Sequence, residues 1–196
     1  ISSGNKFISL LIGSKGNRTM LKPYAVASDK TRVYVTDTGL RALWVFDRLK
    51  RQVTLFGQEG EAQLQLPTGV CPGDSGQVFV ADSKQARVFL YGTNGKLVRA
   101  FGKTGELISP VGVAFDSSGQ KLFVVDSKKH QVMVFDVFSG RLVSEIGSRG
   151  DSAGQLNYPT NIFSRFGKLY ITDTGNFRIQ VLDLEGRALS SFGRAG

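Results

Sequence analysis

An all-β architecture, in which small four-stranded antiparallel sheets stand side by side around an axis, is predicted by three observations. The first is a repeat. Pro23, Pro67, Pro110 and Pro159 each open a unit, Asp37, Asp82, Asp126 and Asp173 follow in turn, and Gly57, Gly102, Gly147 and Gly193 close the units. The aspartates lie 45, 44 and 47 residues apart and the closing glycines 45, 45 and 46 apart. The second is that short β-branched and aromatic runs, separated by polar turns, fill the space between these marks. The third is negative: no stretch places apolar residues three and four apart over the roughly 10–15 positions a helical repeat of this period needs. Four short strands in roughly 45 residues specify one blade of a β-propeller.

The first strand of each unit follows its proline: Ala25–Val26–Ala27, Gly69–Val70–Cys71, Gly112–Val113–Ala114 and Asn161–Ile162–Phe163. A polar turn leads to the second strand, Val33–Tyr34–Val35, Val78–Phe79–Val80, Leu122–Phe123–Val124 and Leu169–Tyr170–Ile171, which ends at the repeated Asp. Six residues beyond the Asp lies the third, with cores Leu43–Phe46, Val88–Tyr91, Val132–Phe135 and Ile179–Leu182. A turn containing Gly95, Gly140 or Gly186 then gives the outer strand, as in Leu97–Phe101 and Leu189–Phe192. The first unit reaches it through Arg48–Leu49–Lys50–Arg51 instead. A blade hides its two faces only against neighbouring blades, so the ring has to close. The aromatics recurring at Tyr34, Phe79, Phe123 and Tyr170 are expected between blades, and Cys71 is expected to be a small buried residue.

The blades run approximately 21–57, 66–102, 109–147 and 158–193. Residues 1–13 are expected as the last strand of a preceding blade, because Gly13 lies 44 residues before Gly57. Gly193–Gly196 repeats the Gly-x-x-Gly spacing of Gly57–Gly60, Gly102–Gly105 and Gly147–Gly150. The chain therefore reads as four full blades plus one outer strand of a longer polypeptide.

Composition bounds the chemistry. Hydrophobic residues make up 41% and charged residues 21%, the balance of a globular protein, and 24 glycines with 14 phenylalanines favour turns and strands. No apolar run reaches the roughly 18 residues of a membrane-spanning helix, and Ile1 follows no signal-peptide pattern. One cysteine excludes an internal disulfide. One histidine, His130, cannot supply the three ligands of a catalytic zinc and is expected to be solvated in the turn Lys128–Lys129–His130.

Leu66-Pro-Thr-Gly-Val, Val78-Phe-Val-Ala-Asp, Arg87-Val-Phe-Leu-Tyr and Phe101-Gly, in that order, resemble the NHL repeat, as do Tyr170-Ile-Thr-Asp and Asn176-Phe-Arg-Ile-Gln-Val. The resemblance covers about nine-tenths of the chain. It implies an NHL-type propeller of six blades, of which roughly two would lie outside this sequence. It also implies an arginine five residues after each Asp, present at Arg87 and Arg178 but replaced by Ala42 and Gln131, with Arg41 as a substitute in the first blade. Such Asp–Arg pairs are expected to organise the turn between second and third strands. Regular repeats of this kind resemble those of bacterial NHL proteins, which implies a periplasmic or extracellular setting, with the cytoplasm as the alternative.

Three functions compete on this scaffold. A propeller lyase or hydrolase, resembling the amidating and streptogramin lyases, would need a metal site. The residues expected to line the channel, Tyr24, Thr68, Val111 and Thr160, include no acid, base or metal ligand. An RNA-binding NHL domain would need the net charge of +9 gathered on one face. Counted by loop, the turns bearing the aspartates carry +2 and the turns at the opposite end, with Arg48, Lys50, Arg51, Arg165 and Lys168, about +4, so the charge is spread. A non-enzymatic protein-interaction or scaffold module is the reading preferred. It needs no metal or cofactor, leaves the oligomeric state open, and places its binding groups on the Asp-bearing turns: Arg41, Lys84, Arg87, Lys128, Lys129, His130, Asn176 and Arg178.

Overall fold

The computed structural model describes residues 19–193, in which every regular element is a strand except two single 3-10 turns. Blade 1 comprises β1 (Pro23–Ser28), β2 (Arg32–Asp37), β3 (Ala42–Asp47) and β4 (Gln52–Phe56). Blade 2 comprises β5 (Pro67–Pro72), β6 (Val78–Asp82), β7 (Arg87–Tyr91) and β8 (Leu97–Phe101). Blade 3 holds β9 (Pro110–Asp116), β10 (Lys121–Asp126), β11 (Gln131–Asp136) and β12 (Leu142–Ile146), and blade 4 holds β13 (Pro159–Arg165), β14 (Lys168–Asp173), β15 (Arg178–Asp183) and β16 (Ala188–Phe192). Each blade is an antiparallel meander in chain order. The strand expected over 1–13 and the end of the Gly193–Gly196 motif lie outside the described residues.

Alternation along each strand sends one set of side chains to the next blade and the other set to the previous one. Tyr34, Leu43, Val45 and Phe56 of blade 1 meet Val70, Val78, Val80, Phe89 and Tyr91 of blade 2. Phe79, Ala81, Val88, Leu90 and Phe101 meet Val113, Leu122, Val124, Met133 and Phe135 of blade 3. Phe123, Val125, Val132, Val134 and Ile146 meet Ile162, Leu169, Ile171 and Leu182 of blade 4. Three of the four recurring aromatics are therefore inter-blade core, with Tyr34, Phe79 and Phe123 no more than 1% exposed. Tyr170 departs from the expectation and is only half-buried. It lies opposite Phe163 on a face of blade 4 that no described sheet follows, where Phe163 and Phe192 are exposed. Cys71 is partly buried beside the second cluster, and loss of water pushes its thiol pKa up.

A leucine plugs each inter-blade connection: Leu64, Leu107 and Leu156 are at most 3% exposed. They explain the closing glycines. Gly102 has φ +86, and a Cβ there would lie 2.6 Å from the Leu107 side chain; Gly57 stands in the same relation to Leu64. At the hub the innermost strands β1, β5, β9 and β13 surround a cavity of about 400 Å³. Its wall includes Val26, Val70, Cys71, Val113, Phe115 and Phe163. The strands pass close enough that a Cβ on Gly112 would lie 2.9 Å from Asn161 Cα.

Candidate functional site

The turns that join second to third strands share one geometry. The Asp ending the second strand pairs across the ladder with the residue five positions on: Asp37 with Ala42, Asp82 with Arg87, Asp126 with Gln131, Asp173 with Arg178. The residue closing each turn is left-handed: Arg41, Ala86, His130 and Phe177 have φ between 51° and 58°.

All four carboxylates are fully buried. They serve as acceptors for the segment entering the same blade and for the turn itself. Asp37 accepts from the amides of Leu21, Lys22, Gly39 and Leu40 and from the Trp44 indole at 2.8–3.3 Å. Burial works to raise its pKa, and these bonds outweigh burial and hold it below the usual carboxylate value. Asp82 accepts from the amides of Gln65, Leu66, Lys84 and Gln85 and from the Gln85 carboxamide. Asp126 accepts from the amides of Ile108, Ser109 and Lys129. Asp173 accepts from the Asn157 amide and from the Asn176, Arg178 and Gln180 side chains.

The expected Asp–Arg pair thus exists in blade 4 alone among the described residues. There Arg178 Nε lies 2.9 Å from Asp173 Oδ2, with the arginine side chain 15% exposed. Arg178 also donates to the Ser152 and Gln155 carbonyls, and Asn176 to the Gly150 carbonyl, so both anchor the long connection 147–158. They are structural, not the contact-ready groups expected. Arg87 is half-buried and meets Asp82 only through the backbone ladder, while Arg41 is exposed and forms no ion pair with Asp37. Trp44 and Gln85 occupy the role instead, each close enough in three dimensions to reach the carboxylate first.

His130 is the largest correction. It is 7% exposed, and its Nδ1 accepts the Tyr158 amide proton at 3.1 Å. Its ring lies 4.4 Å from that of Tyr158. The polar neighbours Lys128 and Lys129 concealed a contact made 28 residues away. Of the predicted binding groups Arg41, Lys84 and Lys128 are exposed and Lys129 is half-buried. Among the described residues neither Lys84 nor Lys128 forms an ion pair.

None of the four residues expected to line the channel lines the cavity of about 400 Å³ between the innermost strands. Tyr24 is exposed at the rim, Val111 and Thr160 are half-buried, and Thr68 is buried in the junction between blades 2 and 3. The Thr68 hydroxyl lies 3.1 Å from the Pro110 carbonyl, and the Ser83 hydroxyl donates to that same carbonyl. The wall is drawn instead from residues further along each first strand, such as Val26, Val70, Val113 and Ile162. Exposed apolar residues before the prolines, Leu21, Leu66, Ile108 and Tyr158, were missed altogether. Their signal was present in one apolar residue per blade, one or two positions ahead of Pro23, Pro67, Pro110 and Pro159. Among the described residues no three His, Cys, Asp or Glu side chains converge as a metal-binding group. No described helix is long and apolar enough to cross a membrane.

No family model matches the sequence. The chain is 28% identical over 158 residues to Protein brain tumor of Drosophila melanogaster, an alignment covering 74% of this chain and 15% of that protein. It is 30% identical over 89 residues to E3 ubiquitin-protein ligase NHLRC1 of Rattus norvegicus, covering 45% of this chain and 22% of that protein. It is 29% identical over 106 residues to NHL repeat-containing protein 2 of Bos taurus, covering 48% and 14%. The chain is similar to NHL-repeat proteins, and its four four-stranded sheets are the blades of a β-propeller. Solved structures agree on the fold. A chain of a nidogen/laminin complex superposes with TM-score 0.70 at 18% identity, over 93% of this propeller and 69% of that chain. A catalytically inactive virginiamycin B lyase from Staphylococcus aureus with quinupristin superposes with TM-score 0.72 at 14% identity, over 93% and 58%. The chain spans less than a quarter of the length of these curated relatives. Those relatives are animal proteins and lend no support to a bacterial, exported origin.

Proposed function

We propose that this NHL propeller is a non-enzymatic docking module whose Asp-turn face holds a protein partner. The observation that carries the reading is the burial of Asp37, Asp82, Asp126 and Asp173. Each is spent on amides and side chains of its own blade, so none is left at the surface to act as acid, base or ligand. The same burial alters the loop-by-loop charge count: the exposed part of these turns carries Arg41, Lys84 and Lys128 without surface aspartates beside them. Fold alone does not choose a function, since the same architecture occurs in a nidogen/laminin complex and in a lyase. The six-bladed ring belongs to the same proposal. Phe163, Tyr170 and Phe192 occupy on blade 4 the positions that blades 1 to 3 bury against their successors.

A photo-crosslinking residue at position 128 of the full-length protein is expected to give a discrete protein adduct in cells. Lys128→Glu with Lys129→Glu should abolish a matching adduct formed from position 84 and leave the thermal midpoint nearly unchanged. Adducts that survive this reversal but vanish on reversing Arg48 and Lys50, at the opposite end, would move the docking face there.

A further inference from the structure

We propose that the Asp-turn face takes an extended peptide segment in which acidic and apolar side chains alternate. The segment lies along a strip running Leu66, Lys84, Ile108, Lys128, Tyr158. This rests on the reading of that face as a protein-docking surface and names the chemistry of the partner.

The strip is continuous because hydrogen bonds made by its members or by residues within two positions of them tie each turn to the next. The Ser83 amide donates to the Leu66 carbonyl at 3.1 Å, which sets Leu66 against Lys84. The Ser83 hydroxyl donates to the Pro110 carbonyl and so ties Lys84 of blade 2 to the entry of blade 3, where Ile108 lies two residues earlier. The Ser127 amide donates to the Ser109 carbonyl at 3.0 Å, setting Ile108 and Ser109 against Lys128. The Tyr158 amide then donates to His130 at 3.1 Å, carrying the strip from the turn of Lys128 to blade 4. Apolar and cationic residues therefore alternate across three blades on a backbone held by packed sheets.

Each member is available. Leu66, Ile108 and Tyr158 are 39%, 50% and 50% exposed, large values for side chains of their kind. Lys84 and Lys128 are exposed, and their nearest carboxylates, Asp82 and Asp126, are buried and occupied by backbone amides. A partner offering only anions would leave the apolar side chains in water, and one offering only apolar groups would leave the lysines unanswered. A single-stranded nucleic acid fits less well, because bases stack on aromatic rings and two of the three apolar members are aliphatic.

Fluorescence anisotropy with the full-length protein tests this using three fluorescein-labelled probes of equal length: a peptide alternating Glu and Leu, one alternating Glu and Ser, and oligouridine. The Glu–Leu peptide is expected to bind about ten-fold more tightly than the Glu–Ser peptide, the worth of one or two partly buried side chains. Ile108→Ser should remove that advantage and leave Glu–Ser binding unchanged. Lys84→Glu with Lys128→Glu should weaken both peptides about ten-fold, more at low salt than at high. All three substituted positions are exposed, and an unchanged thermal midpoint verifies folding. Equal affinity for the two peptides, tightest binding of oligouridine, or indifference to both variants would overturn the proposal. If the peptides fail while the position-128 adduct persists, the docking face stands and only its partner chemistry falls.

Discussion

His130 accepts a backbone proton at Nδ1, so the folded chain holds it neutral at that nitrogen. Burial and the Arg149 cation push its pKa below the ordinary histidine value of 6.5, with Asp173 opposing. As pH falls the unfolded chain therefore takes up a proton before the folded one does. The contribution of His130 to stability is full above pH 6.5, declines as pH drops below it, and levels off beneath the folded-state value. Since the chain has one histidine, a single imidazole titration by NMR measures the depression without assignment. His130→Asn is expected to remove the slope of unfolding free energy that sets in below about pH 6.5 while keeping the left-handed turn, which Asn tolerates. A slope that persists in this variant would assign the acid sensitivity elsewhere. None of this was legible from Lys128–Lys129–His130, because the ring is buried by Tyr158, whose approach depends on how blades 3 and 4 meet. Asp37, Asp82, Asp126 and Asp173 were legible as structural marks from recurrence, but their donors were not. An arginine at a fixed offset is only one of several groups that reach a carboxylate in a tight turn.

At the scale of the element, the repeat determined strand order and number, and the aromatic of each second strand marked its face. Phe79 is 1% exposed, with ring centroids 5.2 Å from Phe115 and 5.9 Å from Phe101. Phe79→Ala is expected to cost about 3–5 kcal/mol by urea denaturation. Tyr170→Ala, at the same repeat position but half-buried, should cost about 1–2 kcal/mol. Similar losses for the two would mean that blade 4 buries its second-strand aromatic as deeply as blade 2. The plugging leucines were not legible. Leu64, Leu107 and Leu156 fall seven, five and nine residues after their closing glycines, so no fixed spacing announces them. Their burial is set by where each connection folds back beneath its glycine, a consequence of packing that periodicity does not carry.

Across the whole molecule, each described blade covers its neighbour, and on the last face the aromatics Phe163 and Phe192 stay exposed. Phe163 and Phe192 are 58% and 56% exposed, and Phe192 lines a shallow apolar recess with Phe177 and Ile179. Replacing Phe163 and Phe192 by serine is expected to lower binding of a hydrophobic dye such as ANS while changing unfolding free energy by no more than about 0.5 kcal/mol each. A loss of several kcal/mol would mean that the two rings are buried in solution. The recess follows from the same alternation that made the fold legible. A sequence pattern designates which side chains leave each sheet on which side, but says nothing of what stands opposite the last one.

Four repeats of one plan would ordinarily offer a visitor four interchangeable berths. The buried aspartates deny that equivalence, since an indole answers Asp37, a carboxamide Asp82, peptide groups alone Asp126 and a guanidinium Asp173. Each answering group gives its berth a different outline, and whatever settles on the rim finds one orientation that matches, not four. The blades' internal likeness ends below their surface, and for a partner docked as proposed a one-to-one stoichiometry is the expected outcome of a calorimetric titration.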